Sequence, residues 1–422
     1  MLDIKFIREH PDLVKENIKR RKNPEYEILL DDVLVKDKQW RALKAKLDEL
    51  RHASNKISEE INKAKKEGKE IKNLIEKAKE LPKEIEALEK EKKEIEFALK
   101  RHLLKLPNLL HASVPEKNEV IRKFGQPKKI EIKKSHGEIL EELDLADFKR
   151  STKISGTGFY FLKSKLALLD LALQKFAIDF LIKNGYALTQ VPIMMRREPY
   201  EGVVALEDFE KVMYKIEDED LYLIATSEHP LIAQFVDEVI SENKLPIRLC
   251  GLSPCFRKEI GSHGVDTRGI FRVHQFNKVE QAIVCAPEQS WDLHEELQSN
   301  AEKLFQALEI PYQVVNIGTE EIGATAAKKY DIEAWFPFQN RYAEVTSCSN
   351  CTDYQAIGLN IRIERKSGKR EYAHTLNATA IATSRTMAAI VENFINPDGS
   401  IDIPKALVPY CGFDKIELEK NG

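Results

Sequence analysis

Two runs of apolar residues, each stepping by three and four, occupy the first quarter of the chain and admit few folds. Trp40, Leu43, Leu47, Leu50, Ile57, Ile61 and Ala64 form the first, with Ser54 as its polar member. Ile71, Leu74, Ala78, Leu81, Ile85, Leu88, Ile95 and Leu99 form the second, interrupted by Lys92. This is the spacing of a coiled-coil seam, so two long helices folded back on each other are predicted over about residues 32–104. The link KAKKEGKEIK places the tip near Gly68, whose backbone freedom suits a reversal. A helix from Asp32 to Glu67 would be roughly 50 Å long at about 1.5 Å per residue. Pro82 lies inside the second run, which predicts a bend there or a helix restart with the proline in its first turn.

A solvated rod used for dimerisation or spacing would carry the same heptads. The tip argues for another use, because Lys63, Lys65, Lys66, Lys69 and Lys72 gather where self-association needs no cation and phosphate binding does. Net charge is silent on this point: 66 Lys and Arg against 69 Asp and Glu leave a formal charge of -3. Any nucleic-acid surface must therefore come from local segregation.

The heptads stop at Leu106, and PNLLHASVPEKNE has the prolines and lack of period of a linker. A boundary near Pro107 is expected, dividing residues 1–106 from 107–422. Beyond Phe148, LALLDLALQKFAIDFLIKNG reads as an amphipathic helix ended by Gly185, and YALTQVP, DLYLIATSE, FRVHQFNKVEQAIVC and RYAEVTSCS read as strands. Few crossover helices separate them, which favours an α+β fold with an antiparallel sheet. The stretch Leu166–Ile182 is broken by Asp170, Gln174, Lys175 and Asp179, so no membrane span is expected. Asp3, Lys5, Arg8, Glu9 and Asp12 interrupt the opening residues where a signal peptide would be apolar, so a cytoplasmic location is expected. Six dispersed cysteines imply no disulfide framework. Cys348 and Cys351 form one CxxC without a second ligand pair, so no zinc is expected.

The densest chemistry lies in FRKEIGSHGVDTRGIFRVHQFNKVE, residues 256–280. Arg257 and Arg272 flank a loop carrying Arg268, and planar guanidinium forks suit phosphate oxygens. On an alternating strand Arg272, His274, Phe276, Lys278 and Glu280 share a face, where Phe276 could stack on a base. The plainer alternative pairs Arg257 with Glu259 on a hairpin surface and leaves Phe276 in the core. Further on, HTLNATAIATSRTMAAIVENF becomes a helix with Arg385 at its start and Ala380, Ile381, Met387, Ile390 and Val391 as a buried stripe. Glu228 in ATSEHPL and Glu344 in RYAEVTSCSN suit a cation or an ammonium group, or are ordinary surface carboxylates.

FRKE with the Arg272–Glu280 segment resembles motif 2 of class II aminoacyl-tRNA synthetases, TLNATAIATSRTMAAIVEN resembles motif 3, and IKNGYALTQVP resembles motif 1. Their order and spacing, ATSEHPL, EVTSCSNC and the preceding two-helix arm resemble the seryl-tRNA synthetase family in particular, over essentially the whole chain. The resemblance implies an antiparallel-sheet catalytic domain behind a tRNA-binding coiled-coil arm, with L-serine, ATP, Mg2+ and tRNA(Ser) as ligands, tRNA(Sec) as a second candidate acceptor, and a homodimer built on motif 1. It implies that Arg257 and Arg385 are catalytic and that ATP is bound by Arg257, Lys258, Glu259, Arg272, Val273, Phe276, Glu344, Val345, Thr346, Ser347 and Arg385. In that scheme Phe276 and Arg385 enclose adenine, and Glu344 with Ser347 holds magnesium. Thr226, Ser227, Glu228, Glu280, Asn377 and Thr379 are implied for serine, and the five tip lysines for tRNA. YEGVVALEDFEK in place of the common substrate loop, and Ser384 before Arg385, look archaeal. A catalytically dead RNA-binding scaffold would have lost the motif arginines, and a relative that charges a carrier protein would lack the arm.

Overall fold

The computed structural model describes residues 1–127, 132–205, 212–259 and 269–417; Arg268 and the second half of YEGVVALEDFEK fall outside them. Two compact units are present, Leu2–Leu106 and Pro107–Gly422, with Met1 grouped with the latter.

In the first unit the heptad runs become helices Pro24–Lys66 and Lys72–Lys105. The first has 43 residues, hence a length of roughly 64 Å. It starts eight residues earlier than the apolar seam suggests, because Asn23 caps the Glu25 amide, Pro24 takes the first turn, and Glu25 and Glu27 sit at the positive end of the dipole. Gly68, at φ +67°, makes the reversal with nothing around it. Lys46–Glu84 at 2.9 Å and Arg51–Glu89 at 2.7 Å bridge the two helices. Lys92, the polar intruder in the second seam, lies with its ammonium 5.4 Å from the Trp40 ring centre, and Lys44 lies equally near. The helix Lys72–Lys105 runs through Pro82, so the predicted restart does not occur. At the root, Asp37 is buried between Arg8 at 2.7 Å and Arg41 at 3.0 Å, tying the short helix Ile4–Glu9 to the arm. All five tip lysines are exposed.

The second unit is built on an eight-stranded sheet, numbered here in chain order: β1 (Glu119–Phe124), β2 (Ala187–Gln190), β3 (Ile247–Phe256), β4 (Gln275–Cys285), β5 (Tyr312–Asn316), β6 (Lys328–Phe336), β7 (Arg341–Thr352) and β8 (His374–Ala382). Their order is β1-β5-β6-β7-β8-β4-β3-β2, antiparallel throughout except for the parallel pair β2–β3 at the edge. Period two divides the side chains between faces. In β4, Val279, Ile283 and Cys285 enter the main core, formed with helices Ser164–Lys183, Ser290–Ala307 and Thr383–Phe394. In β8, Leu376, Ala378 and Ala380 do the same. The intervening residues, including Lys278, Glu280, Asn377 and Thr379, are left for the opposite face.

The strand predicted from Phe271 onward begins only at Gln275, so Arg272 and His274 precede the sheet instead of sharing its alternation. On the open face a second apolar cluster joins Tyr200, Val203, Leu231, Ala356 and Leu359. Helices Arg197–Val203 and Tyr354–Leu359 meet there through their backbones: a Cβ on Gly358 would lie 2.6 Å from the Gly202 carbonyl oxygen. No helix among the described residues is long and apolar enough to cross a membrane.

Candidate active site

The site lies where β3 and β4 leave the sheet. Their pairing continues one step past Phe256, as the Arg257 N–H donates to His274 O at 2.9 Å, while the Lys258 N–H donates to Val212 O at 3.0 Å. These bonds fix the point from which the Arg257 side chain departs. Its Nε donates to Ala225 O at 3.3 Å, and its guanidinium stands 5.3 Å from the Phe276 ring centre. Arg272 Nη1 stands 3.8 Å from a Glu259 carboxylate oxygen.

A cavity of about 570 Å³ opens beside them, and Thr226, Glu228, Arg257, Glu259, Arg272, Glu280, Ser347 and Asn377 line it. The remaining sequence-predicted residues stand beside or behind this wall. Arg385 donates from Nη1 to Glu344 O at 3.0 Å, lies 3.5 Å from that residue's carboxylate, and covers the Phe271 ring at 5.1 Å. Thr379 donates to Glu280 at 3.1 Å, and the Ser227 hydroxyl to Gly251 O at 3.3 Å. The Val345 side chain belongs to the main core, Val273 and Thr346 are buried, and the Lys258 ammonium is 6.0 Å from the Tyr214 ring.

The cavity lining carries both signs of charge. Arg257 and Arg272 supply cations. Glu280 pairs with buried Lys278 at 2.6 Å, and Glu228 accepts from Gln355 Nε2 at 2.8 Å. Burial, reinforced by Glu280, pushes the Glu228 carboxyl up to about 7, against the opposing pull of Lys278, Gln355 and Arg257. Burial likewise holds neighbouring His229 down at about 3, so this ring is neutral. The Glu344 side chain stays 45% exposed; desolvation by the surrounding protein would raise its carboxyl, but Arg385, Lys329, Arg257 and Arg272 outweigh it and hold the group below its ordinary value.

Lys278, Gln355 and Asp331 join the site without a functional assignment from the sequence. Gln355 takes the Thr375 hydroxyl on its own oxygen at 2.6 Å and gives its amide to Val203 O at 3.0 Å as well as to Glu228. Asp331 faces Ser347 across the β6–β7 pairing, is bound by Lys329 at 3.0 Å through Oδ2, and leaves Oδ1 without a hydrogen-bond partner. Only the even-numbered face of β4 marked Lys278 in advance.

Cys348 and Cys351 are both buried, but Cys348 engages His294 O at 3.6 Å whereas Cys351 accepts from Asn377 at 3.7 Å. Among the described residues no cluster of three or more His, Cys, Asp or Glu has the arrangement of a metal cage.

Residues 213–394 match the family model of the tRNA synthetase class II core domain (G, H, P, S and T), and residues 1–110 that of the seryl-tRNA synthetase N-terminal domain. The serine–tRNA ligase of Methanospirillum hungatei is 54% identical over 418 residues, 97% of this chain and 98% of that protein. Seryl-tRNA synthetase from Pyrococcus horikoshii, solved with ATP, superposes at a TM-score of 0.93 with 46% identity over 100% of both chains. The cytoplasmic serine–tRNA ligase of Naegleria fowleri, solved with AMP, gives 0.85 and 37%, covering 100% of this chain and 99% of its own.

Proposed function

The chain belongs to the seryl-tRNA synthetase family, and from that membership we infer that it activates L-serine with ATP and esterifies the terminal ribose of tRNA(Ser). A serine carboxylate oxygen attacks the α-phosphorus, the bond to the β-phosphate breaks, and pyrophosphate leaves. The ribose hydroxyl then attacks the seryl carbonyl and AMP departs. The convergence of two guanidinium groups and the Glu228 and Glu280 carboxylates on one cavity carries this reading, because the former suit a polyphosphate and the latter an ammonium.

Arg257 holds the α-phosphate and meets the negative charge that grows on it during attack. Arg272 and Arg385 grip the remaining phosphates, and Phe276 and Arg385 enclose the base. Glu280 and Glu228 take the serine ammonium, and Thr226 and Asn377 the hydroxyl. A pocket built to bond that hydroxyl leaves its own groups unpaired against alanine, which gives selectivity by orders of magnitude without editing. Glu344 and Ser347 offer hard oxygen donors to magnesium, and the unpartnered Oδ1 of Asp331 opposite Ser347 fits such a cation. Magnesium bound with ATP would supply charge neutralisation at the phosphates.

Serine-dependent exchange of pyrophosphate into ATP tests the reading, and exchange with no amino acid would sink it. The Glu228 carboxyl sets the direction of its pH profile. Its value near 7 means that the ionised form, which attracts the ammonium, accumulates as pH rises. The kcat/KM for serine should therefore climb by up to about tenfold from pH 6 to 8 and level above, while Glu228→Gln should be lower and flat. A wild-type profile flat across this range would remove Glu228 from the ammonium site.

For assembly the reading is a homodimer. Leu168, Leu171 and Ile182 of helix Ser164–Lys183 and Leu188 of edge strand β2 are each about half exposed, an apolar set on the motif 1 segment and the helix leading into it. Leu171→Glu is expected to halve the mass seen by sedimentation equilibrium; a monomeric wild type would overturn the assignment.

A further inference from the structure

His136 and Glu392 lie 256 positions apart, yet they form a closed pair in the interior, 2% and 0% exposed, with Nδ1 at 3.0 Å from Oε1. The second carboxylate oxygen accepts the Phe338 N–H at 3.1 Å, so Glu392 is committed to the core. The far nitrogen of His136 accepts the Ile270 N–H at 3.3 Å. A carboxylate on one side and an amide donor on the other fix the tautomer, with the proton on Nδ1 and the lone pair on Nε2. Gly269 allows the approach: it adopts φ +96°, and a Cβ there would lie 2.5 Å from Nε2 and 3.1 Å from the Gly137 Cα.

What this pair holds is the backbone of Ile270, followed at once by Phe271 and Arg272. Ile270 and Phe271 are buried, and Phe271 is the ring beneath the Arg385 guanidinium, its carbonyl accepting from Arg385 Nε at 3.4 Å. One hydrogen bond accepted by His136 therefore helps set the position of two cations, Arg272 in the cavity wall and Arg385 beside it.

We infer that His136, oriented by Glu392, is a positioning residue for the nucleotide: it anchors the Ile270–Arg272 backbone so that Arg385 and Arg272 meet ATP in register. The inference rests on the assignment of these arginines to ATP, and it separates His136 from the residues assigned to serine, to none of which it is hydrogen-bonded.

The test uses His136→Gln and, independently, Gly269→Ala, which keeps both side chains of the pair but forces a Cβ to within 2.5 Å of Nε2. ATP affinity is measured by equilibrium binding, and KM for serine by pyrophosphate exchange normalised to folded protein. Both variants should bind ATP about tenfold more weakly with a serine KM within twofold of wild type. Unchanged ATP affinity in Gly269→Ala, or equal weakening of ATP and serine in both, would overturn the inference and leave His136 a packing residue. A wild type that binds ATP but exchanges with no amino acid would defeat the serine reading alone, since weakened ATP binding in the variants would still support His136.

Discussion

Arg257→Ala should reduce serine-dependent pyrophosphate exchange by roughly 10³-fold, the scale seen when one pre-aligned donor to a developing oxyanion is lost. The direction follows from how the side chain is held. Its backbone is clamped on both sides by strand-like hydrogen bonds, its Nε is committed to Ala225 O, and Phe276 lies against it. The guanidinium is thus ordered in advance, and in the role proposed for it little reorganisation would accompany the charge forming at the α-phosphate. Arg257→Lys should recover only a small part, because a point charge cannot reproduce the fork or its anchor at Ala225. The loss should fall chiefly on kcat, with KM for serine within a few-fold. Exchange by Arg257→Ala within tenfold of wild type would remove the residue from the chemical step.

The same residues show how far the sequence carries. Period two on β4 put Phe276, Lys278 and Glu280 on one face without any structure, because a strand in a half-covered sheet must alternate. Extending that alternation back to Arg272 failed. There the path is set by long-range bonds, His136 to Ile270 and Gly158 to His274, which no local pattern encodes. Gln355 and Asp331 were invisible for a related reason: each derives its role from a partner, Glu228 or Ser347, supplied by another element. The backbone meeting of Gly202 and Gly358 likewise requires two distant glycines. In the arm, seam and turn were legible from heptads and Gly68, while the helix start depended on the Asn23 cap and not on apolar spacing. Lys92, which reads as a defect in a heptad, is explained by the Trp40 ring it covers.

Removing Lys44–Glu91, with a short Gly-Ser loop joining Leu43 to Lys92, should lower tRNA charging by about 10³-fold or more and leave pyrophosphate exchange within threefold. The arm's own construction makes the cut feasible: Trp40 and Lys92 stay paired, and the buried root of Asp37 with Arg8 and Arg41 is untouched. The two measurements separate because exchange needs only the cavity of the second unit, whose lining residues all lie beyond Pro107. Charging also needs a polyanion to be held, and the deleted segment carries the exposed lysines of the tip. Neutralising Lys63, Lys65, Lys66, Lys69 and Lys72 together should reproduce part of the loss as a higher KM for tRNA, with a shallower dependence on salt by roughly 0.7–0.9 per phosphate contact removed. Lys69 should matter least, since Glu67 at 2.7 Å already engages it. If the deletion instead cut exchange and charging alike, the arm would be a stabilising element of the enzyme and not its grip on tRNA.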